Sequence, residues 1–144
     1  MTRSQRLHPV VQHNEKKEKR ALQEVAVSQN LLNTEIARQT QLQDYKLEYL
    51  QKRKYDIGVF TPLELQEFNR FMQQLDQTIE RQMEVVALRR QELEQKRAIW
   101  NAMRIDSNKM HKVVENLQQQ ESAEQARKEQ KALDEYAQRK FNRR

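Results

Sequence analysis

From Leu65 onward, large apolar residues recur in alternate steps of three and four: Phe68, Met72, Leu75, Ile79, Val86, Leu93, Trp100, Met103, Met110, Val114 and Leu117. Gln82, Arg89, Lys96 and Ser107 occupy the remaining positions of the same walk. A three–four alternation this long predicts the seam of a left-handed coiled coil, because a 3.5-residue repeat keeps one stripe facing a partner helix. The first half of the chain carries a poorer version: Leu22, Val25, Gln29, Leu32, Ile36 and Gln39, after which the phase becomes ambiguous around Leu42.

Three residues punctuate this pattern. Pro9 can open a helix at its first position, where a missing N–H costs nothing. Gly58 breaks the chain within Asp56-Ile57-Gly58-Val59-Phe60, and Thr61-Pro62-Leu63-Glu64 follows at once. Thr61 is placed as an N-cap, Pro62 at the first helical position and Glu64 to complete a capping box. These signals predict helices over about 9–55 and about 62–140 and a loop over about 56–61, all within one coiled-coil domain covering residues 1–144. At 1.5 Å per residue the helices would reach roughly 70 and roughly 120 Å, lengths that require a partner along the apolar stripe. A short loop makes them antiparallel neighbours. The fold class is all-α: a long two-helix antiparallel coiled coil, a helical hairpin with an overhanging C-terminal helix. Folding about Gly58 sets Tyr49 level with Phe68, Tyr45 with Met72 and Leu42 with Leu75. The start of the first helix then falls beside residues 105–109, and everything after them, including the polar stretch from Gln118 through Lys131, overhangs.

Composition agrees. One glycine and two prolines in 144 residues leave too few turns for a sandwich, a barrel or a βα repeat. Nor can they build a P-loop or a dinucleotide fingerprint. The absence of cysteine removes disulfide scaffolds, zinc fingers and thiol catalysis. No apolar stretch in residues 1–20 resembles a signal peptide, and nowhere do about 18 apolar residues run together, so a soluble cytoplasmic protein is expected.

Charge changes the picture through its location. Against 21 acidic residues stand 27 basic ones, a net +6. Arg3, Arg6, Lys16, Lys17, Lys19 and Arg20 gather near one terminus, and Arg139, Lys140, Arg143 and Arg144 near the other. A basic coiled coil invites comparison with zipper-type nucleic-acid readers. Glu15 and Glu18 interrupt the basic run, however, and no aromatic residues interleave to stack on bases, so nucleic acid is not the expected partner. A membrane-surface helix is also disfavoured, because residues 9–21 offer little apolar surface. His8 and His13 are five apart rather than four, and no HExxH or Glu-x-x-His pair exists, so no metal or other cofactor is expected. A thin helical pair offers no concave pocket for a reacting group, and no catalytic residue is assigned.

The segment Leu42 to Leu50 holds more large side chains than one seam requires. Leu42, Tyr45 and Tyr49 form one row, with Leu47 and Leu50 off it; on the returning helix Phe71 stands beside the seam residue Met72, one turn before Leu75. Such a row is ordinarily core, with tyrosine hydroxyls reaching water at its edge. Two paired helices bury only one side of each, so the surplus aromatics also read as an exposed lateral patch of the composition that partner surfaces favour.

The row Leu42-x-x-Tyr45-x-x-x-Tyr49, the spacing Phe71-x-x-x-Leu75 and the closing Leu133-Asp134-Glu135-Tyr136-Ala137-Gln138-Arg139 resemble the FliJ family. Length, two-helix layout and basic termini agree over nearly the whole chain. Members are cytoplasmic components of the bacterial flagellar type III protein export apparatus, which serves motility and chemotaxis. The resemblance implies a non-enzymatic stalk similar to the γ stalk of rotary ATPases. Its free end would enter the export ATPase hexamer (FliI) and promote ring assembly, here through Lys16, Lys17, Lys19, Arg20, Arg139 and Lys140. Its lateral patch would bind the cytoplasmic domain of the export gate protein (FlhA), here through Leu42, Tyr45, Tyr49, Phe71 and Leu75. Export chaperones would be further partners, and the chain would sit at the membrane only through these proteins. Arg38 stands where many members have Gln, and Thr78 and Gln82 continue the second row with polar residues, so the likeness is tightest at the centre of the patch. Stalk proteins of virulence secretion systems are similar in shape.

Overall fold

A computed structural model of the chain describes residues 1–55, 58 and 60–143. Two helices account for nearly all of them: α1, Arg3–Tyr55, of 53 residues, and α2, Pro62–Asn142, of 81. The start of α2 follows the sequence signals. Thr61 Oγ1 accepts the Glu64 N–H at 3.3 Å while Glu64 Oε2 accepts the Thr61 N–H at 3.3 Å, a reciprocal capping box. Of the expected loop, Asp56, Ile57 and Val59 lie outside the described residues. Gly58 has φ +109°, a backbone region that a side chain rarely tolerates.

The start of α1 differs from expectation. It lies at Arg3 rather than near residue 9, and Pro9 sits inside the helix with its ring exposed. A second capping box explains this. The Thr2 N–H reaches Gln5 Oε1 at 3.2 Å and the Gln5 N–H reaches Thr2 Oγ1 at 3.3 Å. Thr2-x-x-Gln5 is thus a start signal of the same kind as Thr61-x-x-Glu64. Pro9 removes one intrahelical hydrogen bond, while Leu7 is half-buried and Val11 buried on either side of it.

The chain divides into two compact units. A hairpin unit spans Ala21–Ile99, and a terminal unit combines Met1–Arg20 with Trp100–Arg144.

In the hairpin unit, Lys46 meets Asp76, Glu35 meets Gln82 and Glu24 meets Lys96, so the pairing is antiparallel. Leu32, Val86 and Leu93 form the core cluster, with Val25 and Ile36 packed against it. On α2 the buried and half-buried positions follow the sequence walk from Phe68 through Lys96. On α1 they follow a different phase from the one that hydrophobicity suggests: Ala21, Val25, Ser28, Leu32, Glu35, Gln39, Leu42, Lys46, Tyr49 and Arg53. Ala21 is 5% exposed while Leu22 beside it is 48% exposed. The two phases share Val25, Leu32 and Gln39 but only this one runs on into Leu42 and Tyr49. It also lets the Gln82 amide donate to the Glu35 backbone carbonyl at 2.8 Å and to its carboxylate at 2.7 Å. That contact fixes register at a polar seam position.

In the terminal unit, His111 Nε2 lies 3.0 Å from Glu15, and Glu121 accepts hydrogen bonds from Ser4. Pairing therefore extends to Glu121 rather than ending near residues 105–109. Val11, Ser4 and Ser107 are buried, and Leu7, Met103, Met110, Val114 and Leu117 are half-buried between them. From Ser122 to Arg143 every residue is exposed, so the overhang is real but shorter than expected.

Candidate functional site

The aromatic residues flagged in the sequence come together in the hairpin unit. On α1, Tyr45 and Tyr49 are one turn apart, ring centroids 6.4 Å from each other. From α2, Phe71 approaches Tyr49 at 4.7 Å and meets Tyr45 edge-on at 6.3 Å. Phe68 stacks on Tyr49 at 5.4 Å with only 8° between the planes. Offset-stacked and edge-on contacts of this kind stabilise aromatic pairs by roughly 0.5–1.5 kcal/mol beyond their burial.

The cluster is both core and surface. Phe68, Phe71 and Tyr49 are half-buried across the seam, and Tyr45 is 49% exposed. Leu42 is half-buried. Leu75 is 7% exposed and belongs to the packed interior, so it supports the patch from beneath. Of the five residues assigned to one surface, Tyr45, Tyr49 and Phe71 form an accessible platform. Leu47 and Leu50, off the row, are also exposed.

Three contributors escaped the sequence reading. Phe68 was read as seam only, and Arg53 and Phe60 were not singled out. The Arg53 guanidinium lies 3.5 Å from the Phe68 ring centroid and 4.7 Å from that of Phe60, a cation held between aromatic faces. Its position four residues after Tyr49, on the same helical row, was the available signal. Beside the cluster is a groove of about 500 Å³ walled by Tyr49, Lys52 and Arg53 of α1, by Phe60, and by Glu64, Glu67, Phe68 and Phe71 of α2.

The basic residues are not gathered into one place. Lys16, Lys17, Lys19 and Arg20 are all exposed on α1 next to Glu15, whose partner is His111. Arg139 and Lys140 lie in the last turn of α2, about 40 Å further along that helix than His111 at 1.5 Å per residue. The terminal unit therefore presents two basic groups, separated by the overhang. Lys140 Nζ stands 6.0 Å from the Tyr136 ring. Of the other histidines considered, His8 is bonded to Gln12 at 3.2 Å.

One carboxyl is perturbed. Glu121 takes the Ser4 hydroxyl at 2.6 Å and the Ser4 backbone N–H at 3.0 Å. The Ser4 hydroxyl foremost, then the Ser4 backbone N–H, hold its pKa below the usual value of 4.5. Bonds to the charged form act in that direction.

Fold and site together define an all-helical coiled-coil protein with a lateral aromatic platform and an exposed basic C-terminal helix. The model of the family described as "Flagellar FliJ protein" matches residues 3–144, and the chain belongs to that family. It is therefore a component of the flagellar protein export apparatus. No curated protein and no solved structure matches the chain. Among the described residues, no helix is long and apolar enough to cross a membrane.

Proposed function

We propose that this protein is a non-enzymatic stalk of the export apparatus, similar in role to the γ stalk of rotary ATPases. On this reading it joins the export ATPase ring (FliI) to the cytoplasmic domain of the export gate protein (FlhA), and it also handles export chaperones. It works at the cytoplasmic face of the membrane through these partners. The observation that carries the proposal is the aromatic platform: Tyr45 half exposed, with Tyr49 and Phe71 half-buried beside it. A large, rigid aromatic surface with polar hydroxyl tips is the composition that protein interfaces favour. The ATPase contact is assigned to the terminal unit, with Lys16, Lys17, Lys19 and Arg20 as one element and Arg139 and Lys140 as another. Basic groups steer toward an acidic pore, and the attraction fades with salt over a Debye length of about 10 Å.

The test is a binding titration of the gate's cytoplasmic domain with the wild-type chain and the double variant Tyr45→Ala, Tyr49→Ala. Loss of gate binding with helicity by circular dichroism retained is the expected result. Parallel loss of helicity would make the tyrosines core alone and sink the platform reading.

A further inference from the structure

The platform's neighbouring groove contains a cation, Arg53, that forms no ion pair among the described residues. Arg53 Nη1 is covered from solvent and has no hydrogen-bond partner. Its guanidinium touches Phe68 and Phe60, neither of which can accept a proton in a conventional hydrogen bond. Two carboxylates wall the same groove, yet among the described residues neither Glu64 nor Glu67 forms an ion pair with Arg53. Glu64 is occupied by the capping box with Thr61. Arg53 as a whole is half-buried, so its guanidinium carries one covered, unpaired nitrogen while part of it stays open to a partner. A partner that supplies a counter-charge offsets the cost of the unpaired group on binding.

The geometry points to a carboxylate-bearing side chain of the gate partner as the occupant of this groove, gripped by Arg53 with Lys52 beside it. The inference rests on the gate-binding reading and names the chemistry of the partner at that site. Arg is suited to the task because its planar fork stacks on an aromatic face while its edge donates two parallel bonds to a carboxylate. Phe60 and Phe68 hold the plane, so little side-chain freedom remains to be lost when an acid arrives. Tyr45 and Phe71 supply apolar contact area on the platform, and Arg53 adds a directional, charged element at its edge. Lys at this position would keep the charge but lose the fork and the stacking surface.

The experiment titrates the gate's cytoplasmic domain with the full chain by calorimetry at 50 and 300 mM NaCl, using wild type, R53Q and R53K. Circular dichroism and melting are recorded for each. On this inference wild-type affinity falls with salt. R53Q, which keeps a planar donor without charge, binds about tenfold or more weakly and loses most of the salt dependence. R53K retains the salt dependence with intermediate affinity. Equal affinity and equal salt slope for R53Q and wild type would overturn the inference while leaving the platform intact. So would a lowered melting point in R53Q with binding unchanged, since Arg53 would then only brace Phe60 and Phe68. No binding by the wild-type chain would sink both readings together.

Discussion

Glu121 shows how one side chain from another helix can reinforce a helix start that a capping box already marks. The first turn of α1 has backbone N–H groups without intrahelical partners, and a carboxylate from α2 accepts one of them together with the Ser4 hydroxyl. A negative charge there also opposes the positive end of the helix dipole favourably. Because the folded pKa is depressed, the contribution is fully present above the ordinary glutamate value of 4.5 and is lost as pH falls through the lowered folded value. The exchange protection factor at residues 3–7, the measured rate set against the intrinsic rate at each pH, should therefore be high at pH 6 and fall once pH drops below the ordinary glutamate value of 4.5, and E121Q should show the lowered protection already at pH 6. Equal exchange for E121Q and wild type at pH 6 would remove this role from Glu121. In the sequence, Glu121 is one acid in a polar run, and nothing local marks it. Its partner is 117 positions away.

At the scale of elements, α2 was legible and α1 only partly so. The α2 stripe from Phe68 to Leu117 carries large side chains except at Ser107, and every position of it is buried or half-buried, with Phe71 and Glu92 half-buried beside it. On α1 two stripes share every second member, and intrinsic hydrophobicity favours the one through Leu22 and Ile36. The folded protein buries Ala21, Ser28 and Glu35 more deeply, leaves Leu22 half exposed, and keeps Gln29 and Ile36 half-buried at the edge of the seam, Ile36 against the core of Leu32, Val86 and Leu93. Two substitutions separate the phases. Ala21→Leu should overpack the seam and lower stability by about 1–3 kcal/mol, whereas Leu22→Ala should change it by less than about 0.5 kcal/mol. Thermal melts of the two variants check this, and a reversed order would restore the hydrophobic phase. The helix starts follow the same lesson. Thr61-x-x-Glu64 was readable because Pro62 and the adjacent Gly58 reinforced it, and Thr2-x-x-Gln5 was overshadowed by Pro9.

For the whole molecule, the net charge divides unevenly between the two units. The 27 basic and 21 acidic residues fall as 16 and 9 in the terminal unit and 11 and 12 in the hairpin unit, so net charges are +7 and −1. The basic excess belongs to the unit assigned to the ATPase, and the near-neutral unit carries the aromatic platform, which fits two contacts of different salt dependence. Deleting residues 122–144 removes only exposed side chains of α2 and should shift the melting midpoint by less than about 3 °C, while weakening ATPase stimulation. Deleting residues 1–20 should lower it further, because Val11 leaves the seam and Met103 and Met110 are uncovered. Circular dichroism melts of both truncations, with ATPase assays alongside, are the check; a larger loss from the C-terminal deletion would mean the overhang is part of the packed fold. By itself the sequence determined the helices, the α2 stripe, the Thr61 cap and the aromatic row, because each of these is set by side chains within about four positions of one another. The tertiary structure alone decided the phase of α1, how far the pairing runs, which side chain of the aromatic row faces water and the stacking of Arg53 on Phe68. Those depend on contacts between residues far apart in the chain, from Arg53 and Phe68 to Lys46 and Asp76, 30 positions, and Ser4 and Glu121, 117 positions. Such contacts follow from how two stripes interlock, which no local pattern encodes.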